Sequence, residues 1–346
     1  MIRTATVWSA SLLIVAAALY VLVRIAVGLA PLTIALAATL FLAALLDPIQ
    51  LGLRRLRFPG ALAALTSLLV LLGFLAGSAV VVWRLAGNEF ATLDERLGAG
   101  LEQLREFALT TLPITAEQLD AWIADALAAL RREPPDPLES ARAAMEVTGA
   151  VLLSIVLLFF LLKDGRSMWR WLAARASSHL QPTLISAGRA GWQTLTAYSR
   201  GTLTIAAIDA TGIGLALFFL DVPAPVPLAL ITFLGAFVPI IGATVAGVAA
   251  ILVALAAEGP TTALLTALAV IGVQQMEGNL LEPLIMKRQV RLHPAVVLVV
   301  VTAGALAGGV PGAFVAVPIT AVVYRIVETV SAYRVEQPPD ADAATG

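Results

Sequence analysis

Residues 226–257 contain no charged side chain, and the same holds for 295–324. A helix on the surface of a soluble domain is apolar along one stripe and polar on the rest, so one apolar all round belongs in a bilayer or in the core of a very large protein. Composition decides between the two. The chain is 60% hydrophobic and 13% charged, with mean hydropathy +0.92, where a soluble domain holds about 45–50% apolar and about 25% charged residues. This is the composition of an integral membrane protein. The formal net charge of -1 gives no basic excess for nucleic acid. With no cysteine in the chain, disulfides, thiolate metal sites and cysteine nucleophiles are excluded together.

One crossing of a bilayer core about 30 Å thick takes about 20 apolar helical residues. Spans are expected near 6–28, 30–46, 61–83, 147–162 and 202–220, followed by the long stretches 226–257 and 295–327 with a shorter one, 261–276, between them. The first is read as an anchor, because it is too long for a signal-peptide core and lacks an A-x-A end. The expected fold is an all-α membrane protein, a polytopic helical bundle of about eight membrane elements. Its parts are N-terminal spans in 1–85, an amphipathic helical insertion in 86–145, a second membrane core in 146–328, and an unstructured tail in 329–346. Cations cluster at Arg54, Arg55 and Arg57, at Lys163, Arg166, Arg170 and Arg175, and at Lys287, Arg288 and Arg291. All three clusters fit the cytoplasmic side if both termini lie there too, leaving the insertion outside.

The insertion carries eleven acids between Glu89 and Glu139. Leu93, Leu97, Leu101, Leu104, Ala108 and Leu112 recur at three- and four-residue spacing, a stripe weakest at the alanine, and a second helix opens at Thr115 with Gln118 in capping-box relation. Two readings stay open: a packed helical hairpin with a solvated acidic face, or a surface that lies on the membrane or binds a partner.

The two long stretches are each too long for one span and short for two, and both are broken near the middle. The first break holds Gly235, Pro239 and Gly242; the second holds Gly308, Gly309, Pro311 and Gly312. Loose backbone of this kind survives in hydrocarbon only when buried in protein or lining a wet cavity. Re-entrant or broken helices satisfy that condition, and paired interruptions point to a transporter's binding site. Close packing through Gly304, Gly308 and Gly312 is the alternative.

Between those stretches the polar run "QQMEGNLLEPLIMKRQVRLHP" spans 274–294. Gln274, Gln275, Glu277, Asn279 and Glu282 stand where an apolar segment ends, able to coordinate a cation, relay protons or bind a polar solute. A loop whose carboxylates pair with the following cations is the plainer reading. Asp209, halfway along the span 202–220, is a proton or sodium site on one reading and a packing aspartate facing Thr204 or Thr211 on the other. Two histidines without cysteines make no zinc site, so no metal or other cofactor is expected. G-x-S-x-G and H-E-x-x-H patterns are absent, and no nucleophile has a paired base, so no enzymatic role is expected.

In order along the chain stand "FFLLKDG" (159–165), "YSRG" (198–201), "GAFVPIIG" (235–242), the 274–294 run and "GGVPGAFVAVPI" (308–319). This combination resembles the autoinducer-2 exporter family of bacterial membrane transporters, over most of the chain from Leu46 to Tyr324. The resemblance implies an inner-membrane secondary transporter, credited in the family with exporting a quorum-sensing furanone or with sodium–proton antiport. It implies a homo-oligomer, a pentamer being one form. Its motif positions are Lys163, Asp164, Gly165, Arg200, Gly201, Gln275, Glu277, Asn279, Pro283 and His293, with Pro239, Gly242, Gly309 and Gly312 at the breaks. The expected partners are a small solute or ion and the lipid bilayer. The expected function is export of a small polar solute with proton or sodium coupling, ahead of a sodium–proton antiporter or a scaffold acting through the outer helices.

Overall fold

The computed structural model describes residues 30–91, 137–238, 241–286 and 293–336. The expected first span at 6–28, the amphipathic repeats between 93 and 130, Pro239 and the cluster Lys287, Arg288 and Arg291 lie outside these residues. Hydrocarbon offers no partner to backbone N–H and C=O groups, so apolar runs must satisfy them internally as helices. The described residues hold helices and turns and no strand.

The helices are α1 (Ala30–Arg55), α2 (Gly60–Ala91), α3 (Pro137–Ala173), α4 (Gln181–Phe219), α5 (Pro225–Gly235), α6 (Ile241–Glu258), α7 (Pro260–Met276), α8 (Glu282–Met286) and α9 (Pro294–Glu336). A π turn, Glu277–Leu281, joins α7 to α8 in one continuous rod. Among the described residues, six helices are long and apolar enough to cross a bilayer, counting that rod as one; α5 and most of α6 form shorter apolar helices. The chain is thus a polytopic α-helical membrane protein.

Several helices outrun the hydropathy signal. The span expected at 202–220 is the last part of α4, whose 39 residues reach back to Gln181. Polar residues interrupt the apolar signal there without ending the helix, because Thr194, Thr196 and Ser199 are buried against neighbouring helices. Similarly, α3 runs from Pro137 through "KDG" to Ala173, and α2 extends to Ala91, so both enter the expected insertion 86–145. The tail expected from 329 is helical as far as Glu336, where α9 ends, and its remainder lies outside the described residues.

α1, α2 and α3 pack through Ala43, Leu46, Ala64, Leu68, Leu158 and Leu162. At one end of this trio the Gln50 amide donates to the Leu162 carbonyl, and the Arg54 guanidinium donates to the Lys163 carbonyl at 2.7 Å. Arg55, Arg57, Arg166, Arg170 and Arg175 lie exposed nearby in sequence, making this the basic end of the bundle.

Both interrupted stretches fold back on themselves. In the first, α5 returns antiparallel along α4, with Gly214 against Ala229, and α6 then reverses so that Gly247 meets Val270 of α7. The arms pinch where a Cβ on Gly235 would sit 2.8 Å from the Gly242 oxygen. In the second, α9 turns at Gly308 and Gly309, whose dihedrals are non-helical, and Gly309 has φ 61, which favours glycine. Its arms pinch in turn, since a Cβ on Gly304 would lie 2.5 Å from the Gly312 oxygen. An unbroken helix would hold residues eight apart about 12 Å from each other.

The two hairpins enter from opposite ends. The first starts beside Phe219, at the far end from the cations, whereas the second returns to the basic end, where Val322 and Ile326 cover Gly191 of α4. Their tips converge on Phe41 of α1, which is 1% exposed. Its ring meets Phe237 at 6.4 Å, Phe314 at 4.9 Å and Tyr198 at 6.3 Å, all edge-on. The Ser199 hydroxyl donates to the Phe41 carbonyl at 3.5 Å, tying α4 to the same hub.

Candidate functional site

Asp209 projects from α4 ten residues, or about 15 Å, beyond Ser199. It is 2% exposed. The expected neighbours do not hold it, because the hydroxyls of Thr204 and Thr211 donate to the carbonyls one turn back on the same helix, at Arg200 and Ala207. The Asp209 carboxyl instead faces the side chain of Glu277, within hydrogen-bonding reach.

Local sequence explains this meeting. α7 lies antiparallel on α4, and Gly212 admits Val273 so closely that a Cβ there would stand 3.2 Å from Cγ2. One turn on along α7 and one turn back along α4, the contact brings Glu277 against Asp209. Glu277 is also the first residue of the π turn, and its N–H is shared between the Val273 and Gln274 carbonyls. A π turn inserts an extra residue per turn and re-aims the side chains that follow, a feature frequent at functional sites. Sequence inspection missed it, although Gly278 and the surrounding amides were the available signal.

Two carboxyls can hydrogen-bond each other only if one holds a hydrogen, because an ionised carboxylate accepts only. A hydrogen bond between Asp209 and Glu277 therefore requires one of them to be protonated. Asp209 Oδ1 and the Gln274 side-chain nitrogen, one turn before Glu277, are both buried and without a hydrogen-bond partner among the described residues. An unpaired buried acceptor and an unpaired buried donor each cost about 1–3 kcal/mol. Beside the two carboxyls, α4 thus presents a buried oxygen that can accept and α7 a buried amide that can donate.

The other candidates fall elsewhere. Gln275 and Asn279 are exposed and bonded to each other, Nδ2 donating to Oε1 at 3.1 Å. Glu282 opens α8, but its side chain lies outside the described part. Pro283 is exposed. His293 accepts the Ala295 N–H on Nδ1 at 3.2 Å and so caps the start of α9. Lys163 and Asp164 pair at 3.3 Å within α3, with Gly165 beside Leu161. Gly201 is buried in α4 and Arg200 is exposed. Pro311 is exposed in the second hairpin. Asp47 of α1, absent from the sequence candidates because it stands just past the expected span, lies half-buried within reach of the Arg166 and Arg200 charges.

A family profile described as "AI-2E family transporter" matches residues 10–332. Among curated sequences, "Putative transport protein MT0215" of Mycobacterium tuberculosis is 33% identical over 344 residues, covering 93% of this chain and 89% of the relative. Two Bacillus subtilis proteins with the same style of name are similar over shorter lengths. YrrI is 33% identical over 125 residues, 36% of this chain and 35% of its own. YueF is 26% identical over 198 residues, 56% and 53% respectively.

Proposed function

The chain belongs to the AI-2E transporter family, with a role in membrane transport, and from that premise we propose a secondary transporter coupled at Asp209 and Glu277. It carries a small polar solute across the inner membrane, with an autoinducer-2-like furanone as the first candidate, and exchanges a sodium ion for the proton that the two carboxyls share. The observation that carries this reading is the buried Asp209 oxygen left without a partner beside the Glu277 carboxyl.

The chemistry is simple. An acid in a membrane interior is expensive unless it is neutralised. A proton neutralises one of the two carboxyls, and a sodium ion held by both does the same, so each excludes the other while net charge is conserved. The Gln274 amide donates to whichever oxygen the ion leaves free, or to a polar solute. The hairpins supply the moving parts. Each reverses mid-bundle at glycines whose backbones nearly touch, and both bear on Phe41 of the α1–α3 trio. Alternating access then consists of hairpin and α4 movement against that trio. By the positive-inside bias the basic end faces the cytoplasm, as do both termini, and the transporter works as a homo-oligomer.

A sodium–proton antiporter is the second reading. It is favoured by the pair itself, which supplies what ion exchange needs without a solute. Purified protein in proteoliposomes with imposed sodium or proton gradients separates the two. Gradient-driven uptake of a polar solute that is lost in Asp209→Asn supports the first reading. Ion exchange that proceeds unchanged with no solute present moves the assignment to the second.

A further inference from the structure

A cavity of about 510 Å³ opens on the bundle surface between α2, α4 and α5, away from the carboxyl pair. Its floor on α4 is made of small residues, Ala207, Ala210 and Gly214, and its walls include Phe74, Phe218 and Phe233. The hydroxyl of Thr211 also lines it but is engaged with the Ala207 carbonyl. The groove therefore offers a ligand almost nothing polar.

We infer that this groove holds one acyl chain of a membrane phospholipid. Three observations select that occupant. All three walls belong to apolar membrane helices, so hydrocarbon and not water is the surrounding medium. From Ala207 to Phe218 the floor runs about 16 Å along α4, half of a bilayer core about 30 Å thick, which is the reach of a chain from one leaflet. The mid-membrane end is shut, because Phe74 and Phe233 meet edge-to-face at 5.5 Å. A helix crossing the membrane needs that end open, whereas an acyl chain stops there. At the other end, α2 carries the exposed Arg84 ten residues, about 15 Å, beyond Phe74, next to Trp83, which is 80% exposed. A cation and an indole at that depth suit a phosphate headgroup.

The groove also touches the moving part of the proposed transporter. Phe233 packs on Phe237 at 5.6 Å, and Phe237 on the Phe41 hub. A bound chain thus props α5, the first arm of the first hairpin, against α2. This consequence for transport rests on the reading above, whereas the binding itself does not.

The test uses the full chain in proteoliposomes containing phospholipid with a photoactivatable group in mid-chain, followed by peptide mapping. Labelling is expected to concentrate on residues 207–218 and 225–233. It should fall at least tenfold in Ala210→Trp, which fills the groove, with Ala207→Leu as a milder filler in case the first variant fails to fold. Arg84→Gln should reduce labelling from an anionic headgroup about fivefold. Labelling spread evenly over exposed apolar faces, Leu152 and Val156 included, overturns the inference. So does a complete disulfide between Leu13→Cys and Ala207→Cys, in a chain with no cysteine of its own, since the groove then belongs to the chain's N-terminal run, or to that of a second copy if the bond links two chains. These readouts need no flux, so a failed transport assay leaves them standing.

Discussion

The Phe41 hub and the Asp209–Glu277 pair share helix α4 about three turns apart, and they are held by opposite means. At the hub, rings from α1, α4 and both hairpins meet edge-on, and the Ser199 hydroxyl finds a carbonyl. At the pair, two acids face each other while a buried oxygen and a buried amide nitrogen stay unpartnered. Satisfied packing contributes stability. Unsatisfied buried polarity costs it, and such groups persist where something is bound in turn. On this contrast the centre of the bundle contributes packing, and the proposed ion chemistry falls to the pair.

The contrast is broken most readily at its polar side. Asp209→Asn removes the oxyanion and the shared proton together, and gradient-driven flux should fall roughly hundredfold, as loss of one partner in a buried charge contact implies. Thermal unfolding of the same variant in detergent should be unchanged or improved; a large loss of stability would move Asp209 into the structural class. The apolar side comes next. Phe41→Ala leaves a cavity where four elements meet and should cost about 3–5 kcal/mol of stability, while sodium-dependent proton release persists in the folded fraction. A smaller effect is expected at the second pinch, where Gly304→Ala forces a methyl against the Gly312 oxygen and should destabilise by about 1–3 kcal/mol. Smallest of all, Gln275→Ala removes one exposed amide pair and should change stability by less than about 0.5 kcal/mol, with flux intact. A strong flux defect there would return the site to the exposed face of the π turn.

Much of this arrangement was legible in the amino-acid sequence, and the parts that were not have physical reasons. Apolar runs announce membrane helices because hydrocarbon admits little else, so α1, α2 and the later spans were expected close to where they lie. The Gly and Pro breaks were visible too. Re-entrant hairpins were one of the forms those breaks allowed, but hydropathy does not choose between them and broken spans; the difference lies in Gly235 touching Gly242 and Gly304 touching Gly312. α4 was underestimated because Thr194, Thr196 and Ser199 depress hydropathy while packing inside. Asp209 and Glu277 each stood out as acids out of place. Their pairing depends on a helix crossing set by Gly212 and Val273, which no local pattern encodes. Within the polar run, sequence alone could not separate Glu277, turned toward α4, from Gln275 and Asn279, turned away.

The central claim is that sodium and a proton compete for one site made of Asp209 and Glu277. It is tested most directly by adding sodium to the purified, weakly buffered protein and measuring proton release. The expected result is about one proton per chain, absent in Asp209→Asn and in Glu277→Gln. Release that is undiminished in both variants, or no release from the unaltered protein, would contradict it.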